Sequence, residues 1–332
     1  MEKLKPHERA TLESLFKTKQ KSLSNVLYDF LNKKYKEVVR TKDYVFAVGD
    51  IPVMLLAHMD TVFNSPPQDI YFDSEKNVMW SPQGLGADDR AGVWAIIKII
   101  RSGLRPSVLF TTDEELGGKG AGRFVKDYPK PFNDKIKYLI QLDRRGTNDC
   151  VFYECENLAF TDYVESFGFC ENWGSFTDIS VICPEWKIAG VNLSIGYQDE
   201  HSFSETLHIG PMNQTINKVI KMLNASTTAP QFEYIESAYS KYAWYYDGYH
   251  DYKPNEKHVC YHCGQTKQEY DMFPVKKKDG TTGFVCDGCL NHFNWCQRCN
   301  EAFEFSPNAV SDILCPDCEL EIFGKGKVSV NV

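Results

Sequence analysis

The sequence predicts an α/β fold in which helices cover both faces of a mixed central β-sheet, followed by a small cysteine-rich C-terminal module. Along residues 37–225, short apolar runs that suit buried strands alternate with segments whose apolar residues recur at helical spacing. Runs such as VMLLA (53–57) and YLIQL (138–142) are apolar on both faces, which is typical of central strands. Eight of the twelve cysteines follow residue 255 in four C-x-x-C pairs, which indicates a metal-stabilised module.

The predicted elements begin with a helix over residues 8–36, where apolar side chains recur at helical spacing. Hairpin-like pairs near the N-terminus favour a mixed sheet over a purely parallel one. The predicted strands are 36–40, 44–49, 52–57, 105–112, 136–142, 150–154 and 187–196, with a hairpin over 69–80. The further predicted helices are 91–100, 120–128, 160–168, 177–183 and 211–224.

Composition excludes several classes of protein. The 332 residues are 42% hydrophobic and 25% charged, which is ordinary for a soluble globular chain. A net charge of −8 argues against general affinity for nucleic acid or for an anionic membrane. The first residues lack the apolar segment of a signal peptide, and no apolar run approaches the ~20 residues of a spanning helix. We therefore expect a cytoplasmic protein that does not associate with membranes.

Histidines and carboxylates follow the predicted strands where each strand ends. In an open α/β sheet the ligand crevice lies beyond the carboxyl ends of the strands, so these side chains should be neighbours. Imidazole nitrogen and carboxylate oxygen bind divalent metals such as zinc, and one bridging carboxylate would allow two ions. Each pair alone also suits capping or a surface turn, but their joint placement favours a metal hydrolase. The set is His58, Asp60, Asp88, Asp89, Glu114, Glu115, Asp143 and His201.

Five segments resemble the signature segments of the co-catalytic di-zinc exopeptidases, the superfamily (clan MH) of leucyl aminopeptidases, tripeptidases and their deacylase relatives. The resemblance spans about residues 50–225 and implies a phosphorylase/hydrolase-like zinc-exopeptidase fold. The segments are AHMDTV (57–62), GLGADDRAG (84–92), FTTDEELGGKGA (110–121), LIQLDRRG (139–146) and YQDEHSFSE (197–205).

This resemblance implies two catalytic zinc ions, with cobalt or manganese as alternative metals. His58, Asp88 and Asp143 would hold one ion, and Asp88, Glu115 and His201 would hold the other, so that Asp88 bridges the pair.

It also implies roles for residues that do not bind metal. Glu114 would be the general base, and Asp60 would orient His58 by accepting its second N–H, as carboxylates beside metal-bound imidazoles do. The peptide bond between Asp88 and Asp89 would be cis. Asp178 and Glu205 are weaker candidates for supporting or substrate-amine contacts, because capping or a surface position explains each equally well.

The spacing of the motifs leaves the closest branch open. Only 29 residues separate His58 from Asp88, and 57 separate Asp143 from His201, which is too few for an inserted lid domain. This favours a single catalytic domain similar to the leucyl aminopeptidases. The wording of the motifs GADDRAG and TTDEE is instead closer to the lidded tripeptidases and deblocking aminopeptidases. The residue that stabilises the oxyanion stays unassigned.

The cysteine pairs predict a zinc-stabilised module with two structural zinc ions, since two C-x-x-C pairs close one tetrahedral site. Sequential pairing is favoured by the spacing, and interleaved pairing is the alternative. The net acidic charge of this module disfavours phosphate binding, so we expect it to bind a protein partner, to self-associate or to control substrate access. The sequential sites are Cys260, Cys263, Cys286 and Cys289, and Cys296, Cys299, Cys315 and Cys318.

We therefore expect a catalytic domain over 1–225, a tyrosine-rich linker over 226–256 and a tandem zinc-ribbon-like module over 257–332. The aromatic residues of the linker should pack back on the catalytic domain. The favoured function is a zinc aminopeptidase acting on peptides. The alternatives are a carboxypeptidase, a deacylase of N-acyl amino acids, and a retired peptidase scaffold that acts as a binding protein.

Overall fold

The computed structural model describes residues 4–237 and parts of the C-terminal region, and the chain divides into two units, Met1–Trp244 and Tyr245–Val332. In the C-terminal region the described residues are 257–268, 272–278, 281–286, 289, 292–296, 302–304, 313–316 and 318.

The first unit alternates helices and strands, as the hydrophobic periodicity predicts. Its described helices are α1 (Pro6–Lys17), α2 (Gln20–Asn32), α3 (Ala87–Arg101), α4 (Lys119–Asp127), α5 (Leu158–Glu165), α6 (Asp178–Trp186) and α7 (Ile209–Ala225). Its described strands are β1 (Glu37–Arg40), β2 (Tyr44–Val48), β3 (Ile51–His58), β4 (Tyr71–Asp73), β5 (Val78–Trp80), β6 (Pro106–Thr111), β7 (Tyr138–Arg144), β8 (Asp149–Val151), β9 (Cys170–Glu171), β10 (Gly190–Ser194), β11 (Tyr197–Gln198) and β12 (Thr206–His208).

Eight of these strands form the central sheet in the order β1-β2-β6-β3-β7-β10-β8-β9. The central strands β6, β3, β7 and β10 are mutually parallel. Strands β1 and β2 pair antiparallel with their neighbours, β8 pairs antiparallel with β10, and β9 pairs parallel with β8. The parallel centre brings the carboxyl ends of β3, β6 and β7 to one edge. A smaller sheet, β11-β12-β5-β4, joins the predicted hairpin to the segment after His201.

Alternate residues of the central strands face opposite layers of helices, because successive side chains on a strand point to opposite faces. In β2, Val45 and Ala47 pack in a core cluster with α1, α2, α3, α5 and α7, whereas Tyr44 and Phe46 pack with α4 and α6. The ring of Phe124 in α4 meets those of Tyr44 and Phe46 edge-on, with centroids 5.3 and 5.2 Å away. The predicted mixed sheet with helices on both faces is confirmed.

The prediction of one helix over residues 8–36 is wrong, because the chain breaks between α1 and α2. Both Thr18 and Lys19 have extended backbone angles. The buried Arg90 Nη1 donates to the carbonyls of Leu15 and Thr18 at 2.7 and 2.8 Å, which satisfies the end of α1. Helical periodicity continues across the break, so the sequence did not reveal it.

The described part of the predicted linker, residues 226–237, packs against the first unit. Phe232 is buried, and its ring lies 4.9 Å from that of Phe160 and 5.2 Å from that of Tyr163. Glu233 and Glu236 form isolated β-bridges with Ile188 and Cys155. The rest of that predicted linker, residues 238–256, lies outside the described residues.

The second unit is described only in part. Its strands are β13 (Lys257–Val259), β14 (Thr266–Gln268), β15 (Met272–Lys276), β16 (Thr282–Cys286), β17 (Asn294–Trp295) and β18 (Ala302–Phe303). β13 pairs with β14, and the others form one sheet in the order β16-β15-β18-β17. Strands β15 and β16, which follow the first cysteine pair, therefore share a sheet with β17, which precedes the third pair, and with β18, which follows it. Among the described helices, none is long and apolar enough to cross a membrane.

Candidate metal centre and active site

The five predicted metal ligands converge at one edge of the central sheet. His58 ends β3, Asp143 lies near the end of β7, and Glu115 follows β6. Asp88 lies in the first turn of α3, and His201 lies in the loop between β11 and β12. Segments that are far apart in sequence thus supply two imidazoles and three carboxylates to a single site.

The side chain of Asp88 lies between the two histidines. Its Oδ1 is 3.0 Å from His58 Nε2, and its Oδ2 is 3.1 Å from His201 Nε2. Asp143 Oδ1 lies 3.5 Å from the same nitrogen of His58, and Glu115 Oε1 lies 3.0 Å from that of His201. The atoms therefore form two sets, each with one imidazole nitrogen and carboxylate oxygens, and Asp88 contributes one oxygen to each set.

This donor set fits divalent cations. The carboxylates of Asp88 and Glu115 lie within 3.1 Å of His201 Nε2 and raise the pKa of His201 to about 11, so they strongly favour positive charge at this point. Burial lowers the pKa of His58. The carboxylates of Asp143 and its neighbours outweigh burial and raise this pKa well above its usual range. Glu115 Oε1 is buried and forms no regular hydrogen bond, and it lies 3.0 Å from His201 Nε2, as expected of two ligand atoms that face the same cation.

Asp60 connects the first histidine with both glutamates. Its Oδ1 lies 3.3 Å from His58 Nδ1 and accepts a hydrogen bond from the backbone N–H of Glu114 at 3.2 Å. Its Oδ2 accepts from the backbone N–H of Glu115 at 3.1 Å. Asp60 therefore lies against the ring of His58, and it also fixes the start of the turn that carries Glu114 and Glu115.

Glu114 occupies a position different from that of Glu115. Its carboxyl is half-buried, and burial together with the nearby Asp143 and Asp178 raises its pKa to about 9, although His58 lowers it. Its carbonyl accepts hydrogen bonds from the N–H groups of Gly117 and Gly118, both at 2.9 Å, which close the turn.

The peptide bond between Asp88 and Asp89 is cis, as the family resemblance implies. Asp89 is fully buried, and its ligand atoms also lie within 4.8 Å of those of His58 and Asp143. Both of its oxygens are already used, however. Oδ2 accepts from the backbone N–H of His58 at 3.2 Å, and Oδ1 accepts from that of Gly92 at 2.9 Å. Asp89 is therefore better suited to hold β3 against α3 than to bind an ion.

Neighbouring side chains that the sequence did not single out hold Asp143. Thr177 Oγ1 and Gln141 Nε2 donate to its Oδ2 at 2.8 and 3.1 Å, and the Tyr197 hydroxyl donates to its Oδ1 at 3.1 Å. Asn192 binds its backbone at both the N–H and the carbonyl, at 2.9 and 2.6 Å. Sequence reasoning missed Thr177, Gln141, Asn192 and Tyr197, because isolated polar residues in strands and loops carry no pattern.

The two weaker sequence candidates are fully buried carboxylates. Glu205 accepts hydrogen bonds from the N–H groups of Gly86 at 2.5 Å and Asp88 at 3.1 Å, and burial raises its pKa to about 7. Asp178 accepts from the Thr111 hydroxyl, and burial raises its pKa to about 6. A surface position is therefore excluded for both. Glu205 supports the backbone that carries Asp88.

The described cysteines of the second unit form two groups. Within each group, the sulfur atoms lie within 4.8 Å of one another. The Cys286 N–H donates to Cys260 Sγ at 3.3 Å, a contact that favours a thiolate. The groups match sequential rather than interleaved pairing of the cysteine pairs. Cys299 lies outside the described residues. One group is Cys260, Cys263, Cys286 and Cys289, and the other is Cys296, Cys315 and Cys318.

Part of this site lies in a region that matches a known peptidase family. Residues 41–163 match the model of peptidase family M28. That region contains His58, Asp88, Glu115 and Asp143, whereas His201 lies beyond it. No curated protein matches the chain by sequence.

Several solved structures share the fold. The aminopeptidase PepT of Bacillus cereus is 13% identical with a TM-score of 0.52, over 66% of this chain and 98% of that one. A tripeptidase of Staphylococcus aureus is 13% identical with a TM-score of 0.54, over 67% and 98%. A TET aminopeptidase from a marine sediment archaeon of the Thaumarchaeota is 14% identical with a TM-score of 0.50, over 66% and 97%.

At these identities the solved structures establish the fold alone. The first unit of this chain therefore shares the fold of these aminopeptidases and tripeptidases, and the match of residues 41–163 to a peptidase family supports a peptidase of the hydrolase class.

Proposed function

We propose that the protein is a di-zinc aminopeptidase that removes residues from the free N-terminus of peptides. The observation that carries the proposal is the position of Asp88, whose two oxygens face the Nε2 atoms of different histidines at 3.0 and 3.1 Å. A carboxylate in this position can supply one oxygen to each of two ions. His58 and Asp143 complete one ligand set, and Glu115 and His201 complete the other.

Two zinc ions at these positions would polarise the scissile carbonyl and lower the pKa of the attacking water. Glu114 accepts a proton from that water and donates it to the leaving amine. Burial raises the pKa of Glu114, and the charge of metal ions held by the two ligand sets would lower it, so that Glu114 would be ionised and able to accept the proton. Asp60 holds His58 and the backbone of both glutamates in place.

The alternative substrates share this site. A carboxypeptidase or a deacylase of N-acyl amino acids would use the same ligands and base, and would differ in the groups that bind the ends of the substrate. A retired scaffold that only binds other proteins is disfavoured, because all five ligands and Glu114 are present and the ligands converge.

The test is a measurement of zinc content followed by hydrolysis of three peptides that have a free amine, a blocked N-terminus or a blocked C-terminus. Cleavage of only the free-amine peptides, abolished by a chelator and restored by zinc, supports an aminopeptidase. Cleavage that requires a free C-terminus indicates a carboxypeptidase, and cleavage of acyl amino acids indicates a deacylase. No turnover of any substrate by the zinc-loaded protein overturns the enzyme proposal.

For the second unit, we propose two structural zinc ions, one in each cysteine group, and a role in binding a protein partner or a second copy of the chain. The clustering of the sulfur atoms supports the zinc proposal. Four zinc ions per chain are expected by elemental analysis. Size-exclusion chromatography of the full chain, with and without chelator, tests self-association.

A further inference from the structure

Three consecutive residues at the N-terminal end of α6 contact both the turn that carries the proposed base and a proposed metal ligand. They are Phe176, Thr177 and Asp178, which we refer to as the 176–178 segment. Thr177 and Asp178 are buried, whereas Phe176 is 43% exposed. Because α6 packs with α4 in the core on one face of the central sheet, this segment has a fixed anchor.

Asp178 holds the strand end that precedes the proposed base. Its Oδ2 accepts a hydrogen bond from the hydroxyl of Thr111, the last residue of β6, three positions before Glu114. The carbonyl of Thr111 accepts from the N–H of Met59, the residue after the proposed ligand His58, at 2.8 Å. A buried hydrogen bond to a carboxylate is costly to lose, because the remaining group is left without water or a partner. Asp178 thus fixes the point from which the Glu114 turn starts.

The other two residues of the segment contact Asp143 and the far end of the same turn. Thr177 Oγ1 donates to Asp143 Oδ2 at 2.8 Å. The ring of Phe176 lies so close to Gly118 that an added Cβ there would be 2.8 Å from Phe176 Cζ. The N–H of Gly118 in turn donates to the carbonyl of Glu114 at 2.9 Å. The segment therefore contacts the Glu114 turn at both ends, and its middle residue contacts the carboxylate of Asp143.

These contacts complement those of Asp60. Asp60 ties the Glu114 turn to β3 through His58, whereas the 176–178 segment ties it to β7 through Asp143. A general base must lie within hydrogen-bond reach of the proton that it accepts. A displacement of about 1 Å can lower a rate by about 10²-fold. The rate of proton transfer should therefore depend on how firmly this segment holds the turn.

We propose that the 176–178 segment positions Glu114 relative to Asp143, and that Asp178 is a positioning residue for the proton transfer. This inference rests on the proposed peptidase function and adds residues that affect the rate through other residues. Asp178 acts through its hydrogen bond with Thr111, so an uncharged acceptor in the same place should serve as well. Phe176 acts by packing on the closed end of the turn.

The main experiment removes the hydrogen bond between Asp178 and Thr111 from either side. In the zinc-loaded full chain, Asp178→Ala and Thr111→Val should each lower kcat by about 10–100-fold, with KM and zinc content close to the parent values. Asp178→Asn keeps an acceptor oxygen, so its kcat should lie within about threefold of the parent. The double variant Asp178→Ala/Thr111→Val should be about as slow as the slower single variant, because both changes remove the same contact.

A stability control separates positioning from folding. Asn157 caps α5, where its side chain accepts from the N–H of Phe160 at 3.1 Å. Asn157→Ala should lower Tm and leave kcat within about twofold of the parent when both are measured well below the lowest Tm. A fall in kcat for Asp178→Ala that is no larger than the fall for Asn157→Ala overturns the inference.

The packing of Phe176 has its own control. Phe176→Ala should lower kcat by about tenfold, because the end of the turn loses its support. Trp173→Ala removes an aromatic ring of the same loop that is 70% exposed, and it should leave kcat within about twofold. Equal kcat for these two variants contradicts the role of Phe176.

The remaining outcomes separate this inference from the proposed function. Parent-like kcat in both Asp178→Ala and Thr111→Val overturns the inference and leaves the peptidase proposal intact. Loss of zinc in place of a slower kcat at full zinc content also overturns it, because Asp178 would then support a ligand rather than the base. An Asp178→Asn variant as slow as Asp178→Ala contradicts the hydrogen-bond role. No turnover by the parent chain overturns the peptidase proposal itself.

Discussion

The buried carboxylate of Glu205 offers the sharpest test of how the fold holds the metal centre. It is fully buried and accepts hydrogen bonds from the N–H groups of Gly86 and Asp88, residues more than a hundred positions earlier in the chain. The replacement Glu205→Gln keeps one acceptor oxygen and places an NH2 group against the second N–H. The replacement Glu205→Ala removes both acceptors.

The expected magnitudes follow from these two contacts. A hydrogen bond to a charged group contributes about 1.5–3 kcal/mol, so Glu205→Gln should reduce the free energy of unfolding by about that amount and Glu205→Ala by about 3–6 kcal/mol. For a unit of this size, 1 kcal/mol corresponds to roughly 2–4 °C, which gives a fall in Tm of about 3–12 °C for the glutamine variant. Because the loss of these hydrogen bonds lets the backbone of Asp88 move, affinity for the proposed catalytic metal should fall by about 10–100-fold.

Thermal unfolding followed by circular dichroism at 222 nm reports on the first unit, which contains the seven named helices. Competition with a chelator reports on metal affinity. Glu200→Gln is the matched control, since Glu200 lies in the same loop and pairs at 2.9 Å with Arg145; the two side chains are 21% and 60% exposed. A pair with one solvent-exposed partner contributes at most about 1 kcal/mol. A Glu205→Ala variant with the Tm and metal affinity of the parent would refute the supporting role.

Three further predictions test the site and the second unit. Glu114→Gln should keep the full zinc content and lower kcat by about 10²–10⁴-fold, whereas Asp113→Asn, in the same turn at a left-handed φ of 54° that asparagine tolerates, should stay near the parent rate. Glu115→Ala should lose about one catalytic zinc, because it removes one of two carboxylates facing His201, and full retention in dialysis against zinc-free buffer contradicts the assignment. Cys286→Ser should lower the zinc content from four to three ions per chain and expose the second unit to proteolysis, and an unchanged zinc content would show that this cysteine binds no metal.

The sequence predicts the fold, and it singles out the proposed ligands, because both depend on local signals. Buried strands read as continuous apolar runs, and His58, Glu115 and Asp143 follow such runs at the edge where parallel strands end. The Glu-Glu pair at 114–115 predicts two different roles, since neighbours at a strand end diverge, and the structure places Glu115 against His201.

The break between α1 and α2 shows where such signals fail. Helical periodicity continues through residues 18–19, and the feature that marks the end of α1 is the side chain of Arg90, from a distant helix. The packing of the predicted linker also depends on residues that are distant in the sequence. Residues 226–237 have no periodic pattern, yet Phe232 is buried against rings from α5 and β7.

By itself the sequence determined the classes of side chain available to the site, their order along the chain and the alternation that builds a mixed sheet. Only the tertiary structure decided that the two oxygens of Asp88 face different histidines, and that Glu205 and Asp89 hold backbone amides rather than ions. The physical reason is that the role of a buried carboxylate depends on which hydrogen-bond donors reach it. In this protein those donors come from segments up to 119 residues away, a distance over which no sequence period extends.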